Sequence, residues 1–118
     1  MRQFRDRLQD ILDAITQIEA EQAKGKAAFD ASPLMQVWMV HHLMIIGEAV
    51  RAIDPALKQK HPEVPWRQIA GMRNILVHDY FRINQVIVWE TVANHVPQLK
   101  AEIQKILAEP TAEGAGRT

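Results

Sequence analysis

The stretch WRQIAGMRNILVHDYF, residues 66–81, is the only part of the chain in which Arg, Asn, His, Asp and Tyr occur within eight consecutive residues. Pro65 precedes it and favours a helix start, because the N–H group that proline lacks is one that a first helical turn leaves unpaired. Ile69, Met72 and Leu76 then recur at helical spacing. The stretch therefore predicts a helix with one apolar side, which other helices must cover.

A polar strip occupies another side of the same predicted helix. At about 100° per residue, Arg67, Asn74 and His78 fall within roughly 60° of one another, and Asn74 and His78 are near enough to touch. Arg73 lies outside this strip and projects among apolar side chains, where a charge is costly unless it is paired. Glu48, on a second predicted helix, can supply the partner carboxylate. A structural ion pair and a catalytic role for Glu48 both stay open at this point.

Composition restricts the class of protein. The 118 residues suit a single domain, and the absence of cysteine excludes a disulfide framework and a thiolate metal site. Because 14 basic and 14 acidic residues cancel, any nucleic acid must be bound by a local basic patch. No apolar run reaches the roughly 18 residues of a membrane span, and no signal peptide is evident. We therefore expect a cytoplasmic protein without membrane contact.

The N-terminal half predicts two long helices joined by a loop. Residues 2–24 carry apolar residues at helical spacing and predict an amphipathic helix. Residues 25–31 predict a loop from which Phe29 reaches the core. Ser32 is a favoured N-cap and Pro33 a favoured first residue, so a second helix is expected from there to about residue 53.

The C-terminal half predicts a short turn within residues 54–64 and, after the central helix, one more long helix capped by Asn84. In this last helix apolar residues recur at spacings of three and four, at Trp89, Val92, Val96, Leu99, Ile103 and Ile106. Pro97 interrupts the pattern, so either the helix kinks there or Asn94 caps a new helix. These elements predict an all-α, antiparallel four- to five-helix bundle over residues 1–108 and a disordered tail over residues 109–118.

The second long helix is apolar almost all round, which indicates a further interface. Val37, Val40 and Met44 lie among polar neighbours, where a monomeric bundle should not leave them. We therefore expect a homodimer that packs through this face. The adjacent His41 and His42 do not predict a metal site, because consecutive helical side chains point about 100° apart.

Arg73, His78 and Tyr80 match the R-x4-H-x-Y pattern of the HEPN-domain toxins, and Asn74 follows the arginine as in the wider family. The chain most resembles the HepT-like toxins within that superfamily. Three further segments are similar to that family in the same order, namely IIGEA at 45–49, HPEVPW at 61–66 and GMRN at 71–74. The resemblance extends over residues 1–108.

The resemblance implies a HEPN-like bundle that acts as the toxin of a toxin–antitoxin pair. The activity it implies is a metal-independent endoribonuclease with Arg73 and His78 as catalytic residues. It also implies an antitoxin, an MntA-like minimal nucleotidyltransferase, which uses ATP and Mg²⁺ to transfer AMP onto Tyr80 and so silences the toxin. No cofactor of the chain's own is expected.

The residues fit RNA cleavage, because RNA carries its own nucleophile, the 2′-hydroxyl. His78 can take or give a proton near neutral pH. Arg73 or Arg67 can stabilise phosphate charge by forked hydrogen bonds, and Asn74 can fix the His78 ring or hold the substrate. One motif supplies only one histidine, so two motifs across a dimer cleft, as in the resembling family, would supply both proton-transfer groups. The expected products carry a 2′,3′-cyclic phosphate.

A non-enzymatic interpretation is the alternative. A histidine near the end of a helix can simply complement the helix dipole, and Arg73 can be structural. The chain would then be a helical partner, or a nucleotide-binding module, of a nucleotidyltransferase, and the zero net charge mildly favours this view. The grouping of Arg73, Asn74, His78 and Tyr80 favours the ribonuclease.

Overall fold

The computed structural model describes residues 4–78 and 84–109, and these form helices joined by short connections. In chain order the helical segments are α1 (Phe4–Gln22), α2 (Lys26–Ala31), α3 (Pro33–Arg51), α4 (Pro55–Gln59), α5 (Trp66–His78), α6 (Gln85–Glu90), a π-helical segment (Thr91–His95) and α7 (Val96–Ala108). Neither range contains a strand. The all-α fold predicted from the sequence is confirmed.

Helix α3 lies at the centre of the bundle, between α1 and α5. Its start is capped as predicted: the Ser32 hydroxyl accepts a hydrogen bond from the Met35 N–H at 3.1 Å, and Pro33 occupies the first turn. Met39 and Leu43 are almost fully buried further along the helix. A helix that is apolar on most sides requires such a central position to bury its surface.

The outer face of α3 differs from the prediction. Val40 is only 2% exposed and belongs to the core, so its predicted place on an external face is wrong. The reason is that α2 and α6 also contact α3. They cover part of the α3 surface that α1 and α5 leave exposed. Met44 is half-buried against the core. Leu34, Val37 and Trp38 remain 79%, 45% and 40% exposed, and we call these three the α3 apolar stripe.

The connection between α1 and α3 contains a helix where the sequence predicted a loop. Gly25 adopts a φ of 95°, a value that favours glycine, and its carbonyl accepts the Phe29 N–H at 3.1 Å. This bond begins the six-residue α2, and the helix carries Phe29 into the core. The predicted burial of Phe29 is confirmed, and its ring lies 5.2 Å from that of Trp89 on α6.

The interruption near Pro97 is a π-helical segment. The Val96 N–H bonds to the carbonyl of Thr91, five residues earlier, and Pro97 follows in the first turn of α7. The Thr91 hydroxyl donates to the Ile87 carbonyl at 2.8 Å. Asn94 lies within the π-helical segment, so its predicted role as the cap of a new helix is wrong. Pro97 has no N–H to donate to a helical carbonyl, and the wider π-helical turn before it accommodates this missing hydrogen bond.

The first and last helices of the described chain are joined by polar contacts. Nη2 of Arg5 donates to the Leu107 carbonyl oxygen at a nitrogen–oxygen distance of 2.6 Å, which satisfies an acceptor near the end of α7. Lys100 donates to both carboxylate oxygens of Glu19 at 3.1 and 3.0 Å. These contacts close the bundle between α1 and α7.

Two further predictions concern the C-terminal tail and membrane spans, and the described residues bear on each only in part. Of the predicted tail, Glu109 is described, and residues 110–118 lie outside the described residues. Among the described helices, none combines the length and the apolar character that crossing a bilayer would require.

Candidate functional site

Trp66 fixes the start of the helix that carries the polar motif. Its side chain is 8% exposed, and its indole N–H donates to the carbonyls of His61 and Lys58 at 2.9 and 3.2 Å. These bonds tie the α4–α5 connection to the first turn of α5. The helix begins at Trp66, directly after Pro65, as the sequence predicts.

Arg73 and Glu48 form an ion pair across α5 and α3. The Nε of Arg73 lies 3.0 Å from Oε2 of Glu48, so the partner suggested by the sequence is the one that the structure provides. The arginine side chain is 28% exposed and that of Glu48 is 60% exposed. Arg73 also donates from Nη1 to Oδ1 of Asn74 at 3.4 Å. The guanidinium is therefore oriented by two neighbours and still reaches solvent.

Gly47 allows α3 and α5 to approach closely at this pair. A Cβ at position 47 would lie 2.5 Å from Cβ of Arg73 and 3.2 Å from the carbonyl oxygen of Ile69. The sequence did not predict this contact, and Gly47 entered only as part of the IIGEA segment at 45–49. A glycine inside a helix and far from both ends was the available signal, because such a glycine usually has a packing reason.

The remaining motif residues lie at or beyond the end of α5. His78 is the last residue of that helix, and its side chain lies outside the described part of the structure. Asn74 is exposed one turn earlier. The predicted contact between Asn74 and His78 stays a prediction. Tyr80 lies outside the described residues.

Arg67 is placed apart from the Arg73–Glu48 pair. It is exposed in the first turn of α5, six residues before Arg73, a rise of about 9 Å along the helix. Arg67 shares a surface depression with Lys58, whose ammonium can add to a local basic patch. His61 contributes less to that patch, because its ring nitrogens lie 3.5 Å from Glu63 and 3.8 Å from Glu109.

The two adjacent histidines of α3 have structural partners. His42 is 7% exposed, and its Nδ1 lies 2.8 Å from the Trp38 carbonyl, which requires a proton on that nitrogen. The His41 ring meets it edge-on at 5.0 Å. Across residues 4–78 and 84–109, no group of three or more His, Cys, Asp or Glu side chains has an arrangement that could hold a metal ion.

A protein-family model described as ribonuclease HepT-like matches residues 11–106, which include the whole Arg73–Glu48 site and His78. The chain belongs to the HepT-like ribonuclease family. This membership makes it a ribonuclease by family, and it confirms the resemblance inferred from the motif. The match begins in α1 and ends at Ile106, the last apolar residue of the pattern in α7, so it includes all the helical segments between them.

Relatives of this HepT-like chain have matching names. A Caldanaerobacter subterraneus subsp. tengcongensis protein named as a proposed RNase is 40% identical over 89 residues, 74% of this chain and 80% of that protein. A Thermococcus cleftensis protein named as a HepT ribonuclease is 36% identical over 108 residues, 89% of this chain and 96% of that one. A Methanocaldococcus jannaschii protein named as a proposed RNase is 36% identical over 98 residues, 82% of this chain and 90% of that one. No solved structure matches the chain.

Proposed function

We propose that this chain is the toxin of a toxin–antitoxin pair and cleaves RNA internally without a metal ion. The observation that carries the proposal is the Arg73–Glu48 pair, with its Nε to Oε2 distance of 3.0 Å. The pair holds an arginine in one orientation on the same helix as His78, five residues before it, and leaves part of the guanidinium open to solvent. An oriented, partly exposed guanidinium suits a phosphate whose charge grows during reaction.

The proposed reaction uses the 2′-hydroxyl of RNA as nucleophile. That oxygen attacks the adjacent phosphorus while its proton passes to a histidine base. The bond from phosphorus to the 5′-oxygen breaks, and the leaving oxygen takes a proton from an acid. The products are a 2′,3′-cyclic phosphate and a 5′-hydroxyl. Arg73 stabilises the phosphorane charge, and Asn74 and Arg67 hold the RNA strand.

A homodimer provides the second proton-transfer group in this scheme. Each chain has one His78, and the base and the acid must act on opposite sides of the same phosphorus. The α3 apolar stripe supports such an assembly, because three large apolar side chains within about one turn of α3 stay 40–79% exposed in the single chain. The interface therefore centres on Leu34, Val37 and Trp38 rather than on the buried Val40.

Control of the toxin is assigned to an MntA-like nucleotidyltransferase antitoxin. The Tyr80 hydroxyl attacks the α-phosphorus of ATP, pyrophosphate leaves with Mg²⁺, and the partner supplies the base that takes the phenol proton. AMP then adds bulk and negative charge two residues beyond His78, where it repels the RNA phosphate. The ATP and Mg²⁺ belong to the partner.

The test is RNA cleavage by the purified chain in excess EDTA. Wild type is expected to cut single-stranded RNA and leave 2′,3′-cyclic phosphate ends, whereas Arg73→Ala and His78→Ala are expected to lose at least about 100-fold in rate. Arg51→Ala is the matched control, because Arg51 is an exposed arginine in the last turn of α3. Full cleavage by His78→Ala would end the catalytic assignment. A chain that binds the nucleotidyltransferase but never cuts RNA would favour the non-enzymatic alternative.

A further inference from the structure

Helices α3 and α5 approach each other closely at Gly47 and Arg73. A Cβ at position 47 would lie 2.5 Å from the Arg73 Cβ, a separation that real Cβ atoms do not reach. It would also lie 3.2 Å from the Ile69 carbonyl oxygen, which is one helical turn before Arg73 on the same helix. Both contact points are backbone or backbone-attached atoms. A rotamer change of the arginine therefore cannot relieve the clash, and α5 itself would have to move.

We infer that Gly47 is a positioning residue for Arg73: the missing side chain sets how near α5 lies to α3, and that distance sets where the guanidinium sits. Glu48, the next residue on α3, reaches within 3.0 Å of the Arg73 Nε only because the two backbones are this close. This inference rests on the proposed function of Arg73 at the RNA phosphate. It adds a residue that touches neither RNA nor the guanidinium.

The test is Gly47→Ala, with a spectroscopic and a kinetic measurement. In wild type the Arg73 Nε–H is held by Glu48, and its ¹⁵N–¹H signal should be resolved and slow to exchange. In Gly47→Ala that signal is expected to shift and to exchange faster. The turnover number on RNA is expected to fall about 100-fold, because a misplacement near 1 Å is that costly. KM is expected to change less than the turnover number, since Arg67, which holds the RNA strand, lies about 9 Å from Arg73 along α5.

Gly71→Ala is the matched control for the spectroscopic measurement. Gly71 lies inside α5, two residues before Arg73, and a Cβ there meets nothing within 4 Å. Both substitutions add one methyl group to a helical glycine, but only the one at position 47 presses on α5. The Arg73 signal is expected to stay as in wild type in Gly71→Ala. An equal disturbance in both variants would overturn the inference.

Two double variants separate positioning from general damage. In an Arg73→Ala background, adding Gly47→Ala is expected to lower the turnover number much less than it does in wild type, because the guanidinium whose position it sets is already gone. In an Arg73→Gly background the 2.5 Å contact is absent and the milder 3.2 Å approach to the Ile69 carbonyl remains, so Gly47→Ala is expected to cost less stability there than in the wild-type background. An equal cost in both backgrounds would overturn the inference.

The failure of this inference is distinct from failure of the proposed function. If Arg73→Ala cuts RNA at the wild-type rate, the proposed role of Arg73 fails, whatever Gly47→Ala does. If Arg73→Ala is inactive and a folded Gly47→Ala turns over within about twofold of wild type, the positioning role alone fails. A loss of turnover from Gly47→Ala that is as large in the Arg73→Ala background as in wild type would also overturn it, because Gly47 would then act by another route.

Discussion

Glu48 binds Arg73 through Nε, at 3.0 Å, and thereby leaves the far end of the guanidinium to other acceptors. Nη1 donates to Oδ1 of Asn74 at 3.4 Å. A carboxylate that bridged both Nη groups would occupy the edge that recognises phosphate. The contact at Nε instead orients the arginine and keeps that edge available.

Glu48→Ala should therefore affect activity far more than stability. An exposed ion pair contributes about 0.2–1 kcal/mol, and here the two side chains are 28% and 60% exposed, so the free energy of unfolding should fall by less than about 1 kcal/mol. We expect RNA cleavage to fall roughly tenfold, because Arg73 loses its orientation. Glu48→Gln keeps an acceptor oxygen, so its rate of RNA cleavage should lie between those of wild type and Glu48→Ala. Cleavage rates and urea unfolding measure these effects.

Glu90→Ala is the control for this prediction, since Glu90 is exposed at the end of α6. It should match wild type in both measurements. If Glu48→Ala lost as little activity as Glu90→Ala, the ion pair would be structural only.

Val37→Glu should prevent assembly while leaving each chain folded. Val37 is 45% exposed in the single chain, so the carboxylate is solvated in a monomer but unpaired in an apolar interface, which costs several kcal/mol. We expect monomers by light scattering, normal helical circular dichroism and lost RNA cleavage. A charge at Val40 would not test assembly, because Val40 lies in the core of its own chain.

Ala27→Glu, at an exposed position on α2, is the matched control and should remain dimeric and active. Wild type that is monomeric at working concentration and still cuts RNA would remove the two-motif site from the proposal.

Tyr80→Phe should separate catalysis from control. The substitution keeps the ring and deletes only the hydroxyl that would accept AMP. With the partner nucleotidyltransferase, ATP and Mg²⁺, wild type should gain the mass of AMP and stop cutting RNA. Tyr80→Phe should gain no mass and continue to cut at a rate within a few-fold of wild type. Intact-protein mass spectrometry with peptide mapping measures this. AMP found on any other residue would contradict the assignment.

Phe29→Ala should destabilise the bundle strongly. Phe29 is fully buried and contacts Trp89 at 5.2 Å, so the truncation removes both core volume and the link from α2 to α6. We expect a loss of about 3–5 kcal/mol, seen in urea unfolding, and Phe29→Leu should cost less. Val86→Ala is the control. That valine is 65% exposed and lies outside the α3 apolar stripe, so its truncation should change stability by less than about 0.5 kcal/mol. Equal losses in the two alanine variants would contradict this account of the core.

Local chemistry made much of this fold predictable. The Ser32 cap, the Pro33 start and the Asn84 cap are short-range signals, and each is present in the structure. The charge cost of Arg73 among apolar neighbours indicated a partner, and Glu48 was the acidic residue of the facing helix. These inferences needed only the helical period and the cost of an unpaired charge.

Features that depend on several helices at once were not predictable. Periodicity placed Val40 outside, but the short helices α2 and α6 also pack against α3 and cover part of its surface. A one-residue widening of a helix leaves no distinct mark in an apolar pattern of threes and fours. The contact at Gly47 depends on the crossing of two helices, which a single sequence does not give.

The contacts between α1 and α7 impose an order of events on synthesis of the chain. Arg5 can bond to the Leu107 carbonyl, which is 102 residues away in sequence, only after α7 has been synthesised. The same holds for the contact of Glu19 with Lys100. While the ribosome is still making α5, the apolar side of α1 has α3 to pack on but lacks its second neighbour. The surface that α7 will cover therefore faces the cell unprotected until the last helix emerges. A chain truncated before α7 would keep the motif of α5 but lack the packing of α7 on α1. Proteases would therefore degrade it before it could cleave RNA.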